Sequence, residues 1–458
     1  MKAMFKPLPL VCALILAGCN LAPVYETPEL PLPEQYEQGA GAVVDPAWWQ
    51  AFGSDELTAM IERAANGNLD LSTAMSRVRQ ADIQARVAGA PLLPTVSGNL
   101  GGNRNFASDN AGGGVRESFS SGLSISYELD VWGKNRNNLE GTLQGARATA
   151  FERDTVALTV AASTATSYLK VLELRERERI ALENLANAEE VLKVAEAQTR
   201  LGASSELDLV QQQTMVEQRR ASIPGIRQQR QTAENALAIL LGEVPQGFAA
   251  QIKADSLGKL MLPQEKVAGL PSELLLRRPD IQAQEARLRA ANADIGAARA
   301  ALFPSISLTG SSGYSADVFS NLFNSANLAS SLGASLVQPI FRGGALRGAV
   351  ELSEERYVEL TDSYRKTVIS ALQEVEDALI AVREGQRQYE SQQQVLAYAE
   401  KAFRLAELQY RTGSADILTV LSAQQSFFSA RDSLLQNQSS QLQNQVQLYK
   451  VLGGGYGG

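Results

Sequence analysis

Histidine is missing from this chain of 458 residues, and cysteine occurs only at Cys12 and Cys19. Histidine is the commonest general base and transition-metal ligand, and two thiols are too few to replace it. We therefore expect no enzymatic activity, no cofactor and no metal centre. Because Cys12 lies in a predicted signal peptide, the mature chain would hold one cysteine, which excludes a disulfide framework.

Signals for binding phosphate or nucleic acid are equally scarce. Gly133-Lys134 and Gly258-Lys259 lack the upstream glycine of a phosphate-binding loop. The formal net charge of -8 opposes binding to nucleic acid. These features favour a protein that performs no chemistry and binds neither nucleotides nor nucleic acid.

The first 18 residues are typical of a signal peptide, because Lys2 and Lys6 precede an apolar run that is too short to span a bilayer permanently. The run ends in the sequence LAGC at residues 16–19, which resembles the bacterial lipobox. This resemblance predicts cleavage after residue 18 and acylation of Cys19, and Asn20 favours sorting to the outer membrane. The alternative is a chance cysteine near an ordinary cleavage site.

The chain contains an internal repeat, in which residues 69–242 recur as residues 279–453. A repeat of this length predicts two copies of one structural unit. The matching pairs include Asp70 and Asp280, Arg79 and Arg289, Pro94 and Pro304, Arg200 and Arg411, Gly202 and Gly413, Leu207 and Leu418, Gln213 and Gln424, and Gly242 and Gly453.

Each repeat begins with a helix and continues into a predicted β-hairpin, at residues 95–129 in the first repeat and 305–338 in the second. The strands alternate between apolar and small polar residues over about ten residues, which is the length of a tilted transmembrane β-strand. An ordinary soluble hairpin is the alternative.

Four strands cannot close a barrel, and an open edge in lipid would leave backbone groups unpaired. Two chains would supply eight strands with a filled interior, whereas three would supply twelve and leave a pore.

A long proline-free segment follows each hairpin, at residues 134–201 and 344–412, and each predicts a helix of about 100 Å. Return helices are predicted at residues 205–241 and 416–452, after Gly202 and Gly413.

In the second repeat, apolar residues recur every seven positions, which predicts a coiled-coil seam. These positions are Val368, Val375, Val382, Tyr389, Leu396, Phe403 and Tyr410. Pro224 should kink the first return helix, whereas its counterpart Leu435 should not.

Four short sequences resemble those of the outer-membrane factors of bacterial tripartite efflux pumps, the TolC and OprM type. They are YELDVWG at 127–133, LLRRPDI at 275–281, QPIF at 338–341 and YRTG at 410–413. The resemblance covers nearly the whole mature chain, and the lipobox places it nearer OprM. It implies a mixed fold of α-helices and membrane β-strands, with a twelve-stranded barrel and a periplasmic helical tunnel in a homotrimer.

The resemblance also implies a domain organisation. A signal peptide (1–18) would precede an N-terminal extended and equatorial region (19–66). Repeat 1 (67–242) and repeat 2 (279–453) would flank an equatorial linker (243–278), and a glycine-rich C-terminus (454–458) would follow. The implied function is an outer-membrane channel that passes drugs, toxic compounds or siderophore-like metabolites outward. The implied partners are a periplasmic adaptor protein, an inner-membrane transporter of the RND or ABC class, and outer-membrane lipid.

The implied site residues lie at the tips of the helical hairpins. Arg200, Leu201 and Gly202, with Arg411, Thr412 and Gly413, would contact the adaptor. Leu418, Thr419 and Ser422 would line a periplasmic gate. Related proteins often carry aspartates at the last two positions, so Asp416 and Asp208 are expected to supply the negative charge here. Asp208 and Tyr410 would form a latch between the hairpins, weakened because Ala415 replaces an assisting arginine.

Two other functions remain open from the sequence. A periplasmic structural or adaptor lipoprotein would explain Cys19 and the seven-residue repeat, but not four amphipathic strands at repeated positions. A conduit for type I protein secretion would share the fold and differ only in cargo. The lipobox favours small-molecule efflux.

Overall fold

The structure is a computed structural model that describes residues 20–30, 45–107, 114–263 and 277–454. Its longer helices are α1 (Asp55–Gly67), α2 (Leu69–Ala88), α3 (Lys134–Arg200), α4 (Glu206–Leu240), α5 (Pro279–Ala300), α6 (Ala345–Arg411) and α7 (Ile417–Val451). The strands are β1 (Thr95–Ala107), β2 (Gly114–Leu129), β3 (Ser305–Ala316) and β4 (Leu328–Val337). The predicted combination of a small β-sheet with long helical hairpins, present twice, is confirmed.

Several predicted features lie outside the described residues. These are the signal peptide (1–18), Cys19, residues 31–44 of the predicted N-terminal region, residues 108–113 of the first hairpin, residues 264–276 of the predicted equatorial linker, and residues 455–458 of the C-terminus. The lipidation of Cys19 therefore stays a prediction.

The four strands form one antiparallel sheet in the order β1-β2-β3-β4. Residues that lie opposite each other share a face, so Val96, Ile125 and Gly310 project to the same side. The first hairpin has the predicted bounds, but its strands are longer than the ten or so residues of the sequence pattern, because β1 extends to Ala107 and β2 begins at Gly114. Backbone pairing continues there through residues without alternating hydrophobicity, since the ladder requires only N–H and C=O groups.

The long helices pair as two hairpins, α3 with α4 and α6 with α7. Helices α3 and α6 each contain 67 residues, and α4 and α7 each contain 35. All seven positions of the predicted seam on α6 are buried or half-buried. Helix α4 continues through Pro224.

The chain divides into two compact units, and the first consists of residues 1–29, 76–150 and 283–366. It carries the sheet and a short N-terminal segment that lies against helices. The side chain of Asn137 donates to Asn20 at 3.0 Å, and Asn292 donates to the carbonyl of Pro23 at 2.9 Å. A side chain on Gly296 would lie 2.6 Å from the Cβ of Ala22, so glycine permits this close approach.

The second unit consists of residues 30–75, 151–282 and 367–458. Its core includes Trp48, which stacks on Tyr449 at 5.4 Å between ring centroids, with Phe52 packed beside both rings. The guanidinium of Arg175 donates to Glu234 and to three backbone carbonyls at 2.8 to 3.0 Å, those of Ala249, Ile252 and Ala254. This half-buried side chain thereby fastens the loop after α4 to α3.

Candidate functional site

Both hairpin tips turn in the same way. Gly202 and Gly413 have φ of 71° and 75°, and open space surrounds the position of a Cβ at each. In the first tip the Ala203 N–H donates to the carbonyl of Gln198 at 2.9 Å, and the second tip repeats this bond from Ser414 to Gln409 at 2.8 Å. This pattern is the Schellman motif, which ends a helix at a residue with positive φ. The shared geometry explains why glycine occurs twice.

The tip residues that the sequence assigned to adaptor contact are exposed. They are Arg200, Leu201, Gly202, Arg411, Thr412 and Gly413. Leu201 is 83% exposed, so the first turn presents an apolar side chain to its surroundings. Arg411 pairs with Glu407 at 2.6 Å within its own helix. This arrangement leaves the turn itself available to another protein.

The return helices begin at equivalent caps. Ser205 caps α4 in a capping box, in which Asp208 accepts the Ser205 N–H at 3.0 Å and the Ser204 hydroxyl at 2.8 Å. Asp416 caps α7 and accepts both the N–H and the hydroxyl of Thr419, at 2.8 and 2.7 Å.

These bonds stabilise the charged form of both aspartates. The backbone bond from Ser205, then the Ser204 hydroxyl, lower the pKa of Asp208. The bonds from Thr419 lower the pKa of Asp416, whereas the nearby charge of Asp208 acts in the opposite direction. Two carboxylates from different hairpins therefore lie close enough to interact, and both stay ionised at neutral pH. The caps weaken only as the pH falls through these lowered pKa values.

Tyr410 occupies the junction between the hairpins. Its ring belongs to an apolar cluster with Val191, Phe403, Ala406, Ile417 and Val420. Its backbone carbonyl accepts the side-chain amide of Gln198 on α3 at 2.9 Å. Burial raises the pKa of the Tyr410 hydroxyl, the Ser204 hydroxyl acts in the opposite direction, and the charge of Asp208 raises the pKa further.

The structure therefore places Asp208 near Tyr410, but no hydrogen bond joins the two side chains. Asp208 bonds to Ser204 and Ser205, and the Tyr410 hydroxyl makes no hydrogen bond of ordinary geometry to the described residues. Ser204 and Gln198 were not singled out from the sequence, since neither residue belongs to a motif. Their roles arise from packing between segments more than 200 positions apart.

The predicted gate residues share one face of α7. Leu418, Thr419 and Ser422 are exposed, while Ile417 and Val420 between them are buried. Thr419 is also committed to the cap through its bond to Asp416. The exposed face of this first turn thus presents an apolar side chain, hydroxyls and a capping carboxylate.

The sheet has two chemically different faces. One face is small and polar on its two central strands, with Ser118, Ser120, Gly122, Ser124, Ser126, Ser305, Ser307, Thr309, Ser311 and Gly313. Hydroxyls bond across strands on this face, from Ser307 to Ser335 at 2.7 Å and from Ser311 to Ser331 at 2.8 Å. The other face carries exposed apolar residues, namely Val96, Leu100, Leu123, Ile125, Leu308, Leu332 and Leu336. An apolar face of this extent is typical of a surface that meets lipid or protein.

Comparison with known proteins associates these features with membrane channels. Residues 60–243 and 270–454 match the family described as "Outer membrane efflux protein". The chain is 40% identical over 472 residues to the pyoverdine export outer membrane protein OpmQ of Pseudomonas aeruginosa, covering 98% of this chain and 97% of the relative. It is 34% identical over 463 residues to the cation efflux system protein CusC of Escherichia coli, covering 98% and 99%.

A solved structure is similar over almost the same extent. It is the crystal structure of the open state of the Neisseria gonorrhoeae MtrE outer membrane channel. The TM-score is 0.86 at 31% identity, and the match covers 95% of this chain and 98% of that one.

Proposed function

The chain belongs to the outer membrane efflux protein family, and from this membership we propose that three copies assemble into one continuous conduit. The chain is an outer-membrane channel of an efflux system, and its relatives are transport channels. In the proposed homotrimer the sheets of three chains close a barrel, and their helical hairpins form a tunnel in the periplasm.

The proposal of a trimer rests on the two open edges of the sheet. Within the described chain β1 and β4 each pair with one strand only, so the sheet ends in two unpaired edges. Edges in lipid would leave backbone groups without partners, at several kcal/mol each. Joining β4 of one copy to β1 of the next removes every edge, and twelve strands leave a pore whereas eight do not. The hydroxyl-rich face would then line the pore and the apolar face would meet lipid.

The hairpin tips would form the periplasmic entrance. The exposed turns at Arg200 to Gly202 and at Arg411 to Gly413 would dock a periplasmic adaptor protein, which links the channel to an inner-membrane transporter of the RND or ABC class. Leu418, Thr419 and Ser422 would face the constriction. Asp208, Ser204 and Tyr410 would hold the hairpins together in the closed state.

Replacing Asp208 with alanine tests this closed state in planar lipid bilayers. The change removes the capping box of α4 and the charge beside Tyr410. Ser205 still caps α4 in this variant, so the effect on the gate comes from the lost bonds of Asp208 to Ser204 and Ser205. If these bonds favour the closed state by about 1 kcal/mol, their loss should raise the open population roughly fivefold. The expected result is a higher single-channel conductance or longer open periods.

Glu206→Ala is the matched control for this measurement. Glu206 is an exposed acid in the same first turn, and it makes no hydrogen bond or ion pair to the described residues. The control should behave like the unmodified channel. Equal conductance in Asp208→Ala and the control would contradict the proposed latch, and absence of any channel from the unmodified protein would contradict the proposed conduit.

We also propose that acyl chains on Cys19 anchor the channel. The adjacent Asn20 is held by Asn137 in the unit that carries the sheet, so the anchor would start beside the barrel. Cells grown with tritiated palmitate should label the protein, and Cys19→Ser should abolish the label. Cys12→Ser, inside the signal peptide, should leave it intact. Labelling that survives Cys19→Ser would refute acylation at this position.

The exported molecule is proposed to be a siderophore-like metabolite. The support is that identity is higher to the pyoverdine exporter, at 40%, than to the cation exporter, at 34%, over similar lengths. Deleting the gene in its host should remove most of the iron-chelating activity from the medium, and the plasmid-borne gene should restore it. Unchanged chelator secretion together with new sensitivity to toxic metal cations would assign the channel to cation efflux instead.

A further inference from the structure

A cavity of about 260 Å³ lies between helices α3, α4 and α7 in the second unit. Its wall is partly apolar, because Ile180, Ala181, Ile226 and Phe428 line it. The polar lining consists of two arginines, two hydroxyls, one amide and one carboxylate, namely Arg177, Arg219, Ser222, Ser429, Asn184 and Asp432. The proposed gate and latch use none of these residues.

The charges around the cavity do not balance. Arg177 is paired with Asp432, to which its guanidinium donates at 2.8 and 3.1 Å. Arg219 has no acidic partner among the described residues. It donates to the side chain of Gln425 and lies over the ring of Phe428 at 5.0 Å from the centroid. Its Nε–H is buried and makes no hydrogen bond to the described residues.

An arginine without an acidic partner lowers the stability of the protein, and the fold does not require an arginine at this position. Burial lowers the pKa of the Arg219 guanidinium, yet an arginine stays charged in proteins. A partly buried charge without a counter-ion destabilises the protein unless something else compensates it. The second repeat has no charge at this position, because the counterpart of Arg219 is Ala430, which is buried.

The surroundings of Arg219 are also specific to the first repeat. The counterpart of Phe428 is Glu217, so the aromatic platform is not repeated. Pro224, in the turn after Arg219, cannot donate to the carbonyl of Arg220, whereas its counterpart Leu435 is buried in the core. The cavity therefore departs from the shared repeat in charge, in its aromatic wall and in the hydrogen bonding of the adjoining helix.

We propose that this cavity binds a small organic carboxylate, which accepts hydrogen bonds from Arg219 and places its apolar part against Phe428 and Ile226. A guanidinium matches a carboxylate in geometry and charge. The apolar wall favours an organic acid over inorganic phosphate, which would lose its hydration there without replacement. Sites for drug-sized ligands usually exceed about 300 Å³, so the size suits an acid with a single ring. The bound acid would touch both hairpins, because α3 and α4 belong to one and α7 to the other.

Binding of 4-fluorobenzoate to the full-length protein in detergent tests this proposal, with ¹⁹F transverse relaxation as the readout at neutral pH. The unmodified protein should bind it saturably. Arg219→Gln should weaken binding by roughly tenfold or more, because a charge-assisted hydrogen bond is lost. The neutral isostere 4-fluorobenzamide should bind weakly for the same reason.

Two further variants keep the test decisive. Arg220→Gln changes the neighbouring arginine, which is exposed and paired with Glu189 and Glu217, and should leave affinity unchanged. Ser222→Leu narrows the cavity from an exposed wall position while Arg219 remains, and should weaken binding even if Arg219→Gln fails to assemble. The proposal is overturned if the unmodified protein shows no saturable binding, if the amide binds as well as the acid, or if Ser222→Leu binds like the unmodified protein.

Discussion

Replacing Arg175 with alanine should destabilise the second unit by about 3 kcal/mol, the lower end of the usual cost of breaking a buried ion pair. The side chains of Arg175 and Glu234 are 17% and 3% exposed. The change would leave the carbonyls of Ala249, Ile252 and Ala254 without their donor. Arg230 also pairs with Glu234 at 2.8 Å, so one counter-charge survives and limits the loss.

The loss of Arg175 should also loosen one segment of the chain, in addition to lowering the overall stability. The short helix Phe248–Gln251 and the chain after it are fastened to α3 by the three carbonyl bonds of Arg175 and by the N–H of Leu257, which donates to Glu176. Limited trypsin digestion should therefore cleave the variant at Lys253 or Lys259 before other sites, and mass spectrometry would locate the cut. The thermal midpoint, followed by circular dichroism at 222 nm, should fall at the same time.

Arg179→Ala provides the comparison, because this arginine lies one turn further along α3. It is 52% exposed and pairs with Glu176 and Glu183. Exposed pairs contribute about 1 kcal/mol or less, so its loss should shift the midpoint little. If Arg175→Ala and Arg179→Ala melted and digested alike, the proposed role of Arg175 in fastening the loop after α4 would be wrong.

Replacing Gly242 with valine should prevent accumulation of folded channel almost completely. Gly242 ends the first return helix with φ of 74°, and a Cβ there would overlap the backbone carbonyl of Gly67, the last residue of α1. A β-branched residue at positive φ adds strain of about 1 to 3 kcal/mol, and the backbone clash adds a similar amount. The amount of folded, heat-resistant protein in outer-membrane fractions should fall by roughly tenfold or more.

Gly202→Val separates the two effects. Gly202 has almost the same φ, 71°, but a Cβ there would meet open space. This variant should lose only the strain contribution, so it should still accumulate at a reduced level. Equal loss in both variants would mean that backbone conformation alone, and not the contact with Gly67, sets the requirement for glycine at residue 242.

The same junction recurs in the second repeat. Gly453 has φ of 88°, and a Cβ there would lie 2.7 Å from the carbonyl oxygen of Arg277. Gly67 and Arg277 hold equivalent places, each two residues before the first helix of its repeat. The sequence shows that both glycines are repeated, but it does not show which backbone each one meets.

The chain sequence by itself determined the twofold repeat, the hairpin of strands followed by long helices, and the glycines at the tips. Each of these depends on local patterns, namely alternation with a period of two, freedom from proline, and positive φ at a helix end. The resemblance to outer-membrane factors added the predicted latch roles of Asp208 and Tyr410, which no local pattern encodes.

Only the tertiary structure decided which residues meet between distant segments. It placed Ser204 and Gln198 at the junction with Tyr410, and it left Arg219 without an acidic partner beside Phe428. The physical reason is that the environment of a side chain depends on packing between helices more than 200 residues apart in sequence. Periodicity shows which face of a helix is buried, but it does not show which neighbour covers that face.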